Sequence, residues 1–140
     1  MSETFNLERF LGAQAIVYAE VLEELRAGKK QTHWMWFIFP QMKGLGHSPQ
    51  SEFFGIGSLQ EAAAYSQHPV LGPRLQECTR IVNQLEKRTI QQILDPPDDL
   101  KFRSSMTLFS RAAADPSAFN HALEKYFAGH PDPQTLELLH

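Results

Sequence analysis

The 140-residue sequence has a single cysteine, Cys78, so it cannot form an internal disulfide. A chain of this kind fits a reducing compartment, and we expect a cytoplasmic protein. Cys78 stands among the apolar residues of a helical stripe, which predicts an inert core thiol. Long apolar runs are also missing, because the longest, Trp34 to Phe39, is far shorter than the roughly 20 residues that span a bilayer. The first ten residues contain no apolar signal segment, and we predict no membrane association.

Charge is neither high nor concentrated in this chain. Thirteen Lys and Arg residues are dispersed among sixteen Asp and Glu residues, which gives a formal net charge of −3. Nucleic-acid binding usually requires a basic patch, so we predict no nucleic-acid partner. The six histidines are scattered without HxxxH or HExxH spacing, and no cysteine pair is present. We therefore predict neither a metal site nor a cofactor.

Apolar residues recur at three- and four-residue spacing along most of the chain, which indicates amphipathic helices. The first stripe predicts a long helix with Asn6 as N-cap and Gly28 as its stop, and a second stripe runs from Val70 to Leu85. Three acidic residues each precede a further helical pattern: Asp98, Asp115 and Asp132. No alternating segment of strand length competes with these patterns. We predict an all-α fold with about six to eight helices around one core, in a single domain over residues 1–140.

Two shorter segments are also predicted to be helical. Thr32 to Phe39 has the residue types of a strand, but Thr32 as a cap, Pro40 as a stop and the lack of a pairing partner favour a short helix. Ser58 followed by Glu61 has the form of a capping box, which predicts a helix that runs through Tyr65.

Residues 33–57 contain both tryptophans, four of the ten phenylalanines and four of the eight glycines. Aromatic faces offer contact area at low entropic cost, and glycines let the backbone approach a ligand. The segment therefore has the composition of a pocket wall, with Trp36, Phe39 and the neighbouring His33 as candidate ligand-binding residues. A purely structural role is the alternative, above all for Trp34, Met35, Phe37 and Ile38.

A glycine-rich turn follows this aromatic block. Backbone N–H groups near Gly44 and Gly46 could form an anion-binding nest, although no GxxxxGK[ST] or GxGxxG motif is present. Candidate polar ligands around the turn are Gln41, Lys43, His47 and Ser48. A plain surface turn is the alternative interpretation.

The segment 98–105 is the densest in polar chemistry of the C-terminal half. On a helix that begins at Asp98, Asp99 and Arg103 are four residues apart, with Lys101 and Ser104 on neighbouring faces. The segment could form only an N-cap and an ion pair, or an Arg held by an Asp could bind a phosphate or carboxylate. If the protein is an enzyme, Asp99 and Glu52 are the candidate acid-base residues. We expect segments 33–57 and 98–105 to meet in one pocket.

Five motifs occur in a specific order and spacing: HWMWFIFPQMKGLGHSP, FFGI, HPVLGPRLQEC, PDDLKFRSSMTLF and YFAGHPDPQTLELL. In these motifs the chain resembles, from Asn6 to Leu139, the bacterial family called domain of unknown function 1810. Members of that family are small, mainly helical single domains, so the resemblance implies a fold but no activity. Some members carry a calpastatin label, but calpastatin is a long disordered inhibitor, unlike this aromatic-rich sequence.

In layout alone the chain is also similar to the NAD- and ADP-ribose-associated glycosidase-like family. The acidic active-site run of that family has no counterpart in His33 to Gln41, so no catalytic residue is transferred. The similarity implies a nucleotide or ADP-ribose-like ligand, with its base on Trp36 or Phe39 and its phosphates near Lys43 to Ser48 and Arg103.

Two classes of function stay open. The first is a small-molecule pocket that binds a nucleotide-like molecule or hydrolyses it as an N-glycosidase-type hydrolase. The second is a non-catalytic interaction module, in which an exposed part of the aromatic segment binds a protein partner or forms a homodimer. The sequence is compatible with a monomer and with a homodimer.

Overall fold

Helices dominate the computed structural model, which describes residues 5–139. Nine are present in that range: α1 (Glu8–Arg26), α2 (Met35–Ile38), α3 (Pro49–Phe54), α4 (Leu59–Gln67), α5 (Leu71–Gln84), α6 (Ile90–Ile93), α7 (Asp98–Ala112), α8 (Ser117–Phe127) and α9 (Pro133–Leu138). The predicted all-α fold is confirmed. The helices outnumber the expected six to eight because α2 and α6 are single four-residue turns. Extended pairing within residues 5–139 is limited to one parallel bridge between Met42 and Ile56.

Local sequence signals set most helix ends. Gly28 follows α1 with a φ of 83°, the left-handed conformation that only glycine adopts without strain. The predicted cap Asn6 is wrong by one residue, because Leu7 precedes α1 and provides no side-chain hydrogen bond. At the starts of four other helices a side-chain oxygen accepts a hydrogen bond from the third helical N–H, namely from Ser48, Ser58, Thr89 and Asp132.

Helix α7 is the centre of the fold and contacts α4, α6, α8 and α9. Its buried aromatic side chains pack edge-on or tilted against rings from other elements. Phe102 meets Phe39 with 4.9 Å between ring centroids, and Phe109 meets Tyr65 at 5.4 Å. Such ring pairs add to the stabilisation from apolar burial, so they fix α7 against the aromatic segment that precedes α3 and against α4.

Arg9 of α1 and Glu61 of α4 anchor the far end of that segment. Arg9 forms an ion pair with Glu61 at 2.8 Å, and it also donates to the carbonyl oxygens of Phe53 at 2.7 Å and Gly55 at 3.0 Å. The second Glu61 oxygen accepts the backbone N–H of Gly57 at 2.8 Å. The capping box predicted at Ser58 and Glu61 is therefore only half formed, because Glu61 turns to Arg9 and Gly57.

Glu24, a buried residue of α1, fixes the start of the aromatic segment. Its Oε1 accepts hydrogen bonds from Gln31 N at 2.7 Å, Thr32 N at 3.1 Å and Trp34 Nε1 at 2.9 Å, and its Oε2 accepts one from Thr32 Oγ1 at 2.7 Å. Burial raises the pKa of a carboxyl group, but these hydrogen bonds outweigh burial and hold the Glu24 pKa below its usual value. Thr32 thus binds Glu24 and does not act as the predicted cap of α2.

Cys78 lies on the buried face of α5, as the sequence predicts. Its side chain is fully buried, and burial raises the pKa of the thiol to about 12. A thiol in this state is protonated at neutral pH and a poor nucleophile. The structure therefore gives Cys78 the properties of a core residue.

Candidate functional site

The two polar segments meet at the surface between α2 and α7. Lys101 Nζ lies 3.8 Å from the centroid of the Trp36 ring, a cation–π contact. Beside this contact is a cavity of about 300 Å³, which we call the Trp36 pocket. Its lining comes from α2, the α2–α3 connection, the start and first turns of α7 and the start of α9: Trp36, Gln41, Leu45, Gly46, Pro97, Leu100, Lys101, Arg103, Ser104, Asp132 and Gln134.

A second, smaller cavity lies on the other side of Trp36 and Lys101. It has a volume of about 200 Å³, and we call it the Lys30 cleft. Its lining includes three charged residues, both tryptophans and the exposed His33: Lys30, His33, Trp34, Met35, Trp36, Asp98 and Lys101. Because Trp36 and Lys101 line both cavities, the Lys30 cleft and the Trp36 pocket are neighbours.

Gln41 contributes a side-chain amide to the Trp36 pocket. The residue is only 8% exposed, and its side-chain amide forms no hydrogen bond with any residue in the range 5–139. Its backbone is held firmly, because the Gln41 carbonyl accepts the N–H of Ile56 at 2.9 Å. Its Oε1 and Nε2 are not fully buried, so water can occupy these positions when no ligand is bound. The Gln41 amide is therefore a donor and acceptor pair that a ligand in the pocket could satisfy.

Asp132 supplies a carboxylate to the same pocket. Its Oδ2 accepts hydrogen bonds from Ser104 Oγ at 2.9 Å, Thr135 N at 3.2 Å and Thr135 Oγ1 at 2.6 Å, which caps α9 and ties it to α7. Oδ1 has no hydrogen-bond partner in the described part of the chain. The sequence correctly predicts Asp132 as a helix start but does not indicate that it lines a pocket.

Arg103 does not bind Asp99. Its Nε donates to the carbonyl of His130 at 2.9 Å and its Nη2 to that of Pro131 at 2.9 Å. Among the ion pairs of residues 5–139, the predicted Asp99–Arg103 pair is not formed, because the guanidinium is already bound to these two carbonyls. Arg103 thus holds the loop that carries Asp132.

The two candidate catalytic carboxylates lie apart from one another. Asp99 is 5% exposed and faces α6, where Gln91 Nε2 donates to its Oδ2 at 3.3 Å. Glu52 is exposed and lines a separate depression together with Arg9 and Lys43. Of the described residues, Asp132 is the one acid that lines the Trp36 pocket. The structure therefore does not bring Asp99 and Glu52 together there.

The aromatic candidates separate into core and pocket. Phe39 is fully buried against Phe102, and its ring centroid lies 6.2 Å from that of Trp34. Phe39 cannot stack on a ligand in this arrangement, because its side chain is buried in the core. Trp36 is only partly buried and borders both cavities.

The residues of the glycine-rich turn point to three different places. Gly46 borders the Trp36 pocket, whereas Gly44 and His47 border an adjoining groove with Glu137 and Leu138. Lys43 lines the depression that contains Glu52. The hydroxyl of Ser48 caps α3 by accepting Ser51 N at 3.1 Å. The turn does not gather these side chains around one anion.

Several residues of the site were missed by sequence reasoning. Leu45, Pro97, Leu100 and Gln134 border the Trp36 pocket, and Lys30 belongs to the cleft. Leu100 carries the one local signal, an apolar residue between charged neighbours that is 57% exposed in the structure. Lys30 follows Lys29 in an ordinary surface sequence, and it is distinguished in the fold by its ion pair with the distant Asp98 and its contact with the Trp34 ring.

Residues 5–139 contain neither a metal-ion cluster nor a membrane-spanning helix. No group of three or more His, Cys, Asp and Glu residues there is arranged to hold a metal ion. No helix in that range has the length and apolar character needed to cross a membrane.

Comparisons with known proteins identify the family. A solved structure described as the conserved hypothetical protein Rv1873 from Mycobacterium tuberculosis is 56% identical and similar to this chain with a TM-score of 0.96, over 98% of each chain. No functionally curated protein matches the sequence. Residues 4–139 match the family described as protein of unknown function (DUF1810). The chain therefore belongs to the DUF1810 family.

Proposed function

We propose that this protein binds a small molecule with a flat, polar heterocycle, such as a nucleotide, and that the heterocycle enters the Trp36 pocket. The observation that carries the proposal is the Gln41 amide, which borders the pocket, belongs to a residue that is only 8% exposed and has no hydrogen-bond partner in residues 5–139. A side-chain amide offers one acceptor and two donors. The edge of a heterocycle can pair with both, as in the bidentate recognition of adenine by Asn or Gln.

The surroundings of Gln41 suit such a ring. Trp36 and the side chains of Leu45 and Leu100 provide aromatic and apolar contact area. The free Oδ1 of Asp132 is an acceptor for an exocyclic amino group or a hydroxyl. A volume of about 300 Å³ is at the lower end of the range for ligand pockets, so it would hold a single base or nucleoside.

The geometry favours binding over hydrolysis. An N-glycosidase-type reaction needs an acid-base residue within hydrogen-bond reach of the scissile bond. Asp99 faces α6 and Glu52 lines a different depression, so neither is placed to act in the Trp36 pocket. Asp132 has a free Oδ1 at the pocket, but three hydrogen bonds to its Oδ2 fix the carboxylate between α7 and α9, so we assign it the role of a hydrogen-bond acceptor for the ligand. We therefore propose a binding protein.

The test measures ligand binding and stability in the same variant. Adenosine, AMP, ADP-ribose and NAD are titrated while tryptophan fluorescence and the melting temperature are recorded. Replacement of Gln41 by Leu should weaken binding at least about tenfold, because it removes the paired donor and acceptor. The same replacement should change the free energy of unfolding by less than about 1 kcal/mol, because the amide forms no hydrogen bond within residues 5–139. Gln60→Leu, on the exposed face of α4, is the matched control.

Two outcomes would contradict the proposal. One is the absence of any response to all four ligands at millimolar concentration, which would favour the interaction-module hypothesis. The other is equal binding by wild type and Gln41→Leu. A ligand at a hundred times its dissociation constant stabilises the native state by roughly 2.7 kcal/mol, so binding of useful strength would be visible in the melting temperature.

A further inference from the structure

We infer that the Lys30 cleft binds an anionic group, a phosphate or a carboxylate. This inference deepens the proposed function, since the anionic group would belong to the molecule whose ring enters the Trp36 pocket. The cleft can nevertheless be tested alone, because inorganic phosphate needs no heterocycle.

The charges of the cleft do not cancel. Lys30 Nζ lies 3.0 Å from Asp98 Oδ2, and Lys101 Nζ lies 3.3 Å from Asp98 Oδ1. Two ammonium groups thus share one carboxylate, which leaves one net positive charge on the cluster. The Lys30 and Lys101 side chains are only 11% and 22% exposed, so the solvent screens this charge less than on an open surface.

Donors remain available on both lysines. Each ammonium has three N–H donors, and for each the ion pair with Asp98 is the one polar contact formed within the described chain. The two indole rings hold the ammonium groups in place, with Lys30 Nζ 5.3 Å from the Trp34 centroid and Lys101 Nζ 3.8 Å from the Trp36 centroid. The free donors are therefore preorganised at the wall of the cleft.

The other basic residues near the Trp36 pocket are not equivalent. Arg103 is bound to two carbonyl oxygens, and Lys43 lies in the depression that also contains Glu52 and Glu61. The groove beyond the glycine-rich turn contains Glu137. An anion near the turn would therefore meet negative charge or occupied donors. The Lys30 cleft replaces the turn and Arg103 as the proposed place for phosphate.

The ligand would accordingly extend past Trp36 from one cavity into the other. Its ring would lie on the Gln41 side and its anionic group on the Lys30 side, because Trp36 and Lys101 border both cavities. The first turn of α7 begins at Asp98, so the positive end of that helix dipole adds to the field of the two lysines.

The experiment uses the two tryptophans of the chain as reporters, since both line the cleft. Inorganic phosphate is titrated against the full-length protein at constant ionic strength. Lys30→Gln should weaken phosphate binding about fivefold or more, because it removes the excess positive charge. Lys29→Gln is the matched control, since Lys29 pairs with Asp95 at 3.5 Å on the surface, and its replacement should change binding less than about twofold. Thermal unfolding verifies that each variant is folded.

A gain-of-binding variant makes the test sharper. Asp98→Asn raises the net charge of the cluster from one to two, so we expect phosphate to bind about fivefold more tightly. A purely structural ion-pair network predicts no such gain. Equal affinities of Lys30→Gln and Lys29→Gln would overturn the inference, as would the absence of a phosphate response in both wild type and Asp98→Asn. Nucleoside binding without phosphate binding would refute only the cleft, and the reverse result would refute only the proposed function.

Discussion

Replacement of Glu24 should loosen the wall of the candidate site. The carboxylate accepts four hydrogen bonds from the segment that leads into α2, one of them from the Trp34 indole. Glutamine can keep a carbonyl oxygen at the position of Oε1, but its contacts lose the charge. Alanine leaves Trp34 Nε1 and Thr32 N without this acceptor.

The magnitude follows from these contacts. Hydrogen bonds to a charged group contribute about 1.5–3 kcal/mol and neutral ones about 0.5–1.5, so each of the three contacts kept by Gln loses about 1 kcal/mol. The Gln31 end is exposed and can bind water, and neighbouring contacts do not add fully. We expect a loss of about 2 kcal/mol in the free energy of unfolding for Glu24→Gln and about 4 kcal/mol for Glu24→Ala.

The loss should depend on pH in a defined direction. The pKa of Glu24 is lower in the folded protein than the value of about 4.3 expected in the unfolded chain. Its contribution is therefore fully present above the unfolded pKa and is lost as the pH falls through the folded pKa. The difference between wild type and Glu24→Gln should be equal at pH 7 and pH 5.5 and should shrink below about pH 4.

Urea unfolding followed by tryptophan fluorescence measures both effects, because Trp34 is a direct partner of Glu24. Glu23→Gln, one residue earlier on the exposed face of α1, is the control and should change stability by less than about 0.5 kcal/mol. The reasoning fails if Glu24→Gln is as stable as the control at pH 7, or if the difference grows towards acid.

Four further predictions concern Cys78 and two glycines. Native Cys78 should react slowly with thiol reagents at pH 8, because it is buried and its pKa is raised to about 12; rapid labelling would contradict this. Cys78→Ala should cost about 1 kcal/mol in urea unfolding and leave ligand binding intact. Gly12→Ala should raise stability by about 0.5–1 kcal/mol, because nothing lies within 4 Å of the added Cβ in α1. Gly72→Ala should lower it by about 2 kcal/mol or more, because the Cβ would lie 2.2 Å from the Ser66 carbonyl oxygen. Equal melting temperatures for Gly12→Ala and Gly72→Ala would contradict this difference in space around the two glycines.

Much of the fold is readable from the sequence because its signals are local. The apolar periodicity of α1 and α5, the stop at Gly28 and the cap at Asp132 involve residues within one or two turns of each other. Such short-range signals act on the backbone whatever the rest of the chain does. The same holds for Cys78, whose burial follows from its position in the apolar stripe of its helix.

Tertiary packing alone decides which aromatic residue can meet a ligand. Trp34, Trp36 and Phe39 lie within six residues and look alike in sequence, yet the core takes Trp34 and Phe39 and leaves Trp36 at the pocket. The choice depends on where Phe102 of α7 and Glu24 of α1 arrive. No local pattern contains that information, because side-chain exposure is set by elements distant in the chain.

The partners of charged groups are likewise decided by the fold and not by local spacing in the sequence. The spacing of Asp99 and Arg103 predicts a local ion pair, but Arg103 binds the carbonyls of His130 and Pro131 instead. Lys30 and Asp98 are far apart in sequence and lie 3.0 Å apart in the fold. The sequence by itself determined the helices, their ends and the segment that forms the pocket wall. Only the packing of α1, α7 and α9 decided which polar groups were satisfied and which stayed free, because a charged side chain binds the partner that the fold brings near it.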